Sequence, residues 1–183
     1  FTDTAVRKAF ATAIDYAGIA ADVGNGQFAP ATGLYPPSMS FARDNQVHDL
    51  DEAKRLLDAA GWVPGGDGIR AKDGRKLVVR FVTQAQGPET TDVAIAMKDQ
   101  LARAGFDLRI DNAEDSAAVK KDPGAWESSV ALSGSLSGTA DPVQPFLVHW
   151  TTGGSANAQG VANAEIDAIG AQLRGEFDTV RRD

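Results

Sequence analysis

Leu77-Val78-Val79-Arg80-Phe81-Val82-Thr83, then a helix-patterned run from Pro88 to Ala104, then Phe106-Asp107-Leu108-Arg109-Ile110-Asp111: this stretch decides the fold. Its first segment is β-branched and nearly all apolar, the composition of a central strand. Pro88 suits a first helical turn, where its missing N–H would have had no partner. Gly105 suits a helix stop. In the last segment Phe106, Leu108 and Ile110 alternate with Asp107, Arg109 and Asp111, the period-two pattern of a half-buried strand. Strand, helix and strand joined by short links form a βαβ unit, which makes the two strands parallel. The expected class is therefore α/β, a small mixed sheet containing a parallel βαβ unit and flanked by helices.

Working outward from this unit, Ile69-Arg70-Ala71 and Arg75-Lys76-Leu77 flank Lys72-Asp73-Gly74, which predicts a hairpin with an Asp-Gly turn. Before it, Asp49 and Glu52 read as a capping box for a helix over 50–60. Ala53, Leu56, Leu57 and Ala60 line one face of that helix, and Gly61 stops it. Residues 24–48 are rich in Gly, Pro, Ala and Ser and read as a long ordered loop, of the kind that is functional or wraps a neighbour. A short helix is expected over 17–23, and an amphipathic one over 4–15 with Asp3 as its N-cap. On the other side, a short helix near 114–121 leads to a third strand, Trp126 to Leu132. Asp141-Pro142 is expected to cap a helix over 142–150. Asn163 is expected to cap a last helix with Ile166, Ile169, Leu173 and Phe177 on one side. Both ends of the chain, with helical patterns at Thr4 and at Asp178 to Asp183, read as cuts within a longer protein.

The 183 residues allow one well-cored domain or two small ones, and 43% apolar with 23% charged residues is ordinary globular usage. A net charge of −7 argues against a nucleic-acid partner and against an anionic membrane surface. The absence of cysteine excludes disulfides, thiolate metal sites and cysteine nucleophiles. No apolar run reaches the length of a membrane span. No cofactor is implied.

Chemical motifs are few. His48 and His149 lie in different elements without a second ligand at metal-binding spacing, so both are expected to be surface or capping histidines. Gly134-Ser135-Leu136-Ser137-Gly138 misses the nucleophile-elbow pattern because Leu136 stands where serine is needed. Gly65-Gly66-Asp67-Gly68 lacks the Lys-Ser/Thr ending of a phosphate loop. Asp44, Asp49 and Asp51 do not keep calcium-loop spacing. No catalytic residue is assigned.

One region invites a ligand. In open α/β sheets, ligands bind beyond the carboxyl ends of strands. Gln84 follows the first strand of the unit, and the third strand runs into Ser133-Gly134-Ser135-Leu136-Ser137-Gly138-Thr139. Hydroxyls and open backbone amides there suit a ligand wall. The same composition suits a plain connector, and the residues by themselves leave both readings open.

Several segments together resemble a known family. They are Val6-Arg7-Lys8-Ala9-Phe10-Ala11-Thr12-Ala13-Ile14-Asp15, Pro30-Ala31-Thr32-Gly33-Leu34-Tyr35-Pro36-Pro37, His48 to Trp62 with its AKRLLDAAGW core, Gly66-Asp67-Gly68-Ile69-Arg70, and Asp141-Pro142 with Asn163-Ala164-Glu165-Ile166-Asp167. In order and spacing they are similar to the family 5 solute-binding proteins of ABC importers, the dipeptide, oligopeptide and nickel class. The resemblance spans almost the whole chain. It implies a periplasmic-binding-protein-like lobe, the carboxyl-side half of a two-lobed clamp, with residues 1–183 as a single ligand-binding lobe. It implies a peptide or small-molecule ligand, a first lobe in the same protein, an ABC permease as membrane partner, and a periplasmic or lipoprotein location. By resemblance, Tyr35 in the proline-rich loop is a candidate ligand contact, beside Gln84, Ser133, Ser135, Ser137 and Asp141. Peptide-binding members commonly carry Trp and Asp in the loop before the Asp-Pro pair, whereas Ser133 to Thr139 has neither. That departure opens the ligand to a sugar, an opine, a metal chelate or a blocked peptide. The alternative is the ligand-sensing domain of a transcriptional regulator with the same fold.

Overall fold

The computed structural model describes residues 1–130 and 143–182, and it divides into two compact units, Phe1–Ala131 and Leu132–Asp183. The first unit contains α1 (Thr4–Thr12), α2 (Tyr16–Gly24), α3 (Leu50–Ala59), β1 (Val63–Pro64), β2 (Arg70–Lys72), β3 (Arg75–Lys76), β4 (Val78–Gln84), α4 (Pro88–Ala104), β5 (Asp107–Ala113), α5 (Ser116–Lys120) and β6 (Ser128–Ser129). The second contains α6 (Val143–Trp150), α7 (Ala164–Gly175) and α8 (Thr179–Arg182).

The βαβ unit forms as expected. β4 lies between β5 and β6, and both neighbours are parallel to it. The β4–β5 register runs from Val78 opposite Asp107 to Gln84 opposite Ala113. α4 starts with Pro88 in its first turn and ends at Gly105, whose φ is +100°. A side chain there would be strained by that φ, and its Cβ would stand 2.5 Å from Cγ of Arg70. The remaining strands form a separate antiparallel sheet, β1-β2-β3. Asp73 and Gly74, with φ of 50° and 75°, make the two-residue turn between Lys72 and Arg75.

Phe81, Phe106, Leu57, Leu101 and Leu108 are the largest fully buried apolar side chains of the core. Each contributes roughly 1.5–3 kcal/mol by leaving water. Phe10 stacks edge-on against Phe106, with centroids 5.6 Å apart. Arg70, only 5% exposed, ties three segments to this core. Its Nε donates to the carbonyl of Ala104 at 3.0 Å and its Nη1 to the carbonyl of Trp62 at 2.6 Å and to Asp58. The hairpin is thereby fastened to the ends of α3 and α4, and buried backbone acceptors are satisfied.

Some boundaries differ from expectation. The helix expected over 4–15 ends at Thr12, because Asp15 instead caps α2 by accepting from Gly18 N–H at 2.9 Å. Ala13 and Ile14 still enter the core. Only half of the capping box forms: Asp49 accepts from Glu52 N–H, but the Glu52 carboxylate pairs with Arg55. The Asp49 N–H is already taken by the carbonyl of Thr12. The third strand, expected over 126–132, is ladder-paired only at Ser128–Ser129, with Leu132 outside the described residues. Glu127 and Val130 extend its contact by hydrogen bonds to Arg80 and Val82.

In the second unit, Asn163 caps α7 as expected, accepting from Glu165 and Ile166 N–H groups. The expected apolar face is half realised: Ile166 and Leu173 are half-buried, on the same side of the helix as Gly170, whereas Ile169 and Phe177 are not. Gly170 is the buried position of α7, where a Cβ would come within 2.8 Å of Thr151 Cγ2 and 3.1 Å of Leu147 Cδ2. Ile169 is exposed, and Phe177 lies beyond the helix end and is 84% exposed. Close backbone approach at Gly170 draws this side of α7 in, with Ile166 and Leu173 half-buried beside it.

Candidate functional site

The carboxyl edge of the parallel sheet is built where β4 and β5 stop and α4 and α5 begin. At Gly87 the chain turns into α4. The Thr90 hydroxyl donates to the Gly87 carbonyl at 2.6 Å and accepts from Gln84 N–H at 3.3 Å. Asp115 caps α5 by accepting from Ala118 N–H. These local bonds fix the edge residues in place. Gln84 stands at the end of β4, half-buried, and its Nε2 donates to the Ser116 hydroxyl at 3.3 Å. Gln86 Nε2 donates to the Glu114 carbonyl at 3.0 Å. Fully buried Thr83 donates from Oγ1 to Asn112 Oδ1 at 3.1 Å, and the single hydroxyl proton of Thr91 is shared between Thr83 Oγ1 at 3.3 Å and the same Asn112 oxygen at 3.4 Å.

Tyr35 sits in the long connection between α2 and α3. Its ring meets Phe41 edge-on, with centroids 5.1 Å apart, and partial burial pushes its phenol pKa up. The connection is pinned by the Thr32 carbonyl, which accepts from both Asn45 N–H and Gln46 N–H. Phe28, Leu34 and Val47 expose their side chains along it. Tyr35 and Gln84 thus belong to separate contact networks. Ser133, Ser135, Ser137 and Asp141 lie outside the described residues.

Asn112, Gln86 and Thr91 were not singled out by sequence. A usable signal was present: polar residues directly follow each strand pattern, at Gln84-Ala85-Gln86 and Asn112-Ala113-Glu114. His48 approaches Asp15, Nδ1 to Oδ1 at 4.0 Å, a pairing between distant segments that spacing along the chain could not show. Among the described residues, no group of three or more His, Cys, Asp or Glu side chains is placed to hold a metal ion. Nor, among them, is any helix long and apolar enough to cross a membrane. The second unit has an open, polar pocket of about 230 Å³ beside α6, lined by residues including Gln144, Leu147, Thr151, Gly154 and Arg174.

Known proteins share the family and the fold of this chain. Residues 1–157 match the family model described as bacterial extracellular solute-binding proteins, family 5 Middle. The oligopeptide-binding protein AppA of Bacillus subtilis is 32% identical over 155 residues, covering 80% of this chain and 28% of AppA. The dipeptide-binding protein DppE of the same species is 27% identical across 100% of this chain and 34% of its own length. Among solved structures, NikA from Staphylococcus aureus in complex with Ni(L-His)2 superposes with a TM-score of 0.84 at 22% identity, covering 97% of this chain and 37% of that one. AppA from Bacillus subtilis in complex with a nonapeptide superposes with a TM-score of 0.78 at 25% identity, covering 100% and 38%. The chain therefore spans about a third of the length of these relatives. With its α/β architecture, its parallel βαβ unit and a family match over residues 1–157, this chain belongs to the family 5 bacterial extracellular solute-binding proteins.

Proposed function

We propose that residues 1–183 are one lobe of a two-lobed solute-binding protein. The whole protein captures a peptide or other small solute and delivers it to an ABC permease. The observation that carries this reading is the family match over residues 1–157, joined to the likeness with AppA, solved with a nonapeptide. The carboxyl edge at Gln84, Gln86 and Asn112 supplies this lobe's wall of the cleft, as the general rule for open α/β sheets leads one to expect. Tyr35 and the Ser133 to Asp141 segment are further candidate contacts. Exposed Phe28, Leu34 and Val47 give the long connection an apolar surface for the first lobe of the same protein.

Capture works by hinge closure. A ligand that contacts both lobes favours the closed state by its differential affinity for that state. One lobe alone supplies part of the contacts, so the isolated lobe binds weakly. No step of this cycle requires bond chemistry, and the chain is assigned no catalytic role. The protein works outside the cytoplasm, in the periplasm or as a surface lipoprotein. None of the relatives named above is a ligand-sensing regulator.

The test is the mass of the full-length protein from its host under native and denaturing conditions. A defined excess mass that vanishes on denaturation is expected. Equal masses, together with no thermal stabilisation by peptides or nickel–histidine, would overturn the capture reading.

A further inference from the structure

We propose that the carboxyl edge of the parallel sheet selects an uncharged hydrogen-bonding group of the solute, an amide or a hydroxyl, with Asn112 as the specificity-determining donor. The inference rests on the capture reading and deepens it.

Three side-chain amides at this edge are each held by one end. Asn112 Oδ1 accepts from Thr83 and shares the Thr91 hydroxyl proton with Thr83 Oγ1. Thr83 is fully buried and immobilised within β4, so it fixes the amide plane. The Asn112 Nδ2, on an exposed residue, bonds to no other described residue and keeps its two N–H donors for solvent or ligand. Gln84 and Gln86 are anchored the opposite way. Their Nε2 groups donate to Ser116 and to the Glu114 carbonyl, which leaves both side-chain carbonyl oxygens open as acceptors. Thr83 pairs across the strands with Asn112, and Gln84 with Ala113, so the donor and the acceptors stand at adjacent register positions. An amide or a hydroxyl presents both a donor and an acceptor and satisfies such a wall. Anchoring before ligand arrives lowers the ordering cost of each contact.

Charge gives the second argument. The edge segments 84–92 and 112–118 carry Glu89, Asp92, Glu114 and Asp115 and contain no lysine or arginine. A carboxylate or phosphate docked here would meet like charge and no guanidinium or ammonium from these segments. These four carboxylates, unrelieved by a cationic side chain in the same segments, oppose the attraction of the α4 N-terminus for an anion, so an anionic group is disfavoured relative to a neutral one held by hydrogen bonds.

The experiment uses the full-length protein stripped of solute and calorimetric titration with four probes. These are acetyl-trialanine-amide, trialanine with free ends, maltotriose and Ni(L-His)2. Binding of the blocked peptide or of the trisaccharide is expected, and whichever binds identifies an amide or a hydroxyl as the recognised group. Asn112→Asp keeps an oxygen for Thr83 and Thr91 but replaces the donor by a charged acceptor. It is expected to weaken the bound neutral probe by about tenfold or more. Asn112→Ala, which removes the donor without adding charge, is expected to weaken it less. Unchanged affinity in both variants, or a wild-type protein that binds only free trialanine or the nickel chelate, overturns this inference and leaves capture standing. A wild-type protein that binds no probe and co-purifies with no solute overturns both.

Discussion

Phe106 and Phe177 are the same residue in opposite circumstances. Phe106 is fully buried in the first unit, under Phe10 and among Leu101 and Leu108, whereas Phe177 in the second unit is 84% exposed. The contrast extends to the units themselves. The first unit buries five large side chains below 2% exposure, namely Phe81, Phe106, Leu57, Leu101 and Leu108. In the second, the buried apolar side chains among the described residues are Val143 and Leu147, each 8% exposed. Among its described residues, polar closures stand beside this thinner apolar packing. Thr152 donates to Asp167 from both N–H and hydroxyl at 2.7 Å, and Asn157 bridges Thr151 and Val161. A net hydrogen bond is worth about 1 kcal/mol, while ordering each residue costs about 1–2 kcal/mol. Polar closure by itself therefore does not hold a unit of this size, and a deep apolar core does.

Cutting the chain between the units gives the sharpest test and the largest expected effect. The segment 1–131 is expected to show a cooperative thermal transition, and 132–183 a far-ultraviolet spectrum of mostly disordered chain. A cooperative melt of 132–183 alone would break the contrast drawn here. Next comes the same substitution in both units. Phe106→Ala is expected to cost about 3–5 kcal/mol in chemical denaturation through lost burial and the cavity left behind. Phe177→Ala is expected to stay within about 0.5 kcal/mol, as for other exposed positions. Equal losses would mean that Phe177 is buried in the assembled protein.

Arg70→Met probes how much of the first unit's stability is polar. The methionine keeps most of the apolar stem but leaves the Ala104 and Trp62 carbonyls without their donor. A loss of about 2–3 kcal/mol is expected, from one buried and one part-buried acceptor left without their donor. The exposed Asp58 contributes little to it, so Asp58→Asn alone should be nearly neutral. An Asp58→Asn loss as large as that of Arg70→Met would place the stabilisation in the ion pair instead.

The same contrast explains which parts were legible in the sequence. The Leu77 to Asp111 stretch was read correctly because its periodicities, its Pro88 start and its Gly105 stop all agree with the deep burial they produce. Where apolar periodicity met little burial, it misled. Of the expected face Ile166, Ile169, Leu173 and Phe177, only Ile166 and Leu173 are half-buried, on the side where Gly170 packs closely. The end of α1 differs from expectation because Asp15 caps α2 instead, whereas α3 keeps its expected ends and loses only the Glu52 half of its capping box, to Arg55. At the candidate site, Gln84 was visible as the residue closing a strand. Asn112 was not, because its role depends on Thr83 and Thr91, which strand pairing and helix packing bring to it from distant positions.

The smallest effects separate the two units by their acids. In the first unit, partial burial pushes the Glu127 carboxyl up, but hydrogen bonds from the Arg80 side chain and backbone outweigh it and hold it below the ordinary 4.5. In the second, the Thr152 hydroxyl and then its N–H hold Asp167 below the ordinary 3.8. A carboxyl whose pKa is lower when folded stabilises the fold above its unfolded value, and that contribution fades as pH falls through the folded value. Both contributions are therefore complete at neutral pH and disappear in the acid range, Glu127 from about pH 4.5 downward. Glu127→Gln is expected to cost about 1 kcal/mol at neutral pH, discounted because Arg80 is 44% exposed, and less in acid. Carboxyl titration by nuclear magnetic resonance should show Glu127 returning toward 4.5 in Arg80→Met, and Asp167 toward 3.8 in Thr152→Val. Only the first shift should be matched by a change in the melting temperature of the deep core. If Thr152→Val lowers that transition as well, the two units unfold as one, and the polar closures of the second are part of the stability of the first.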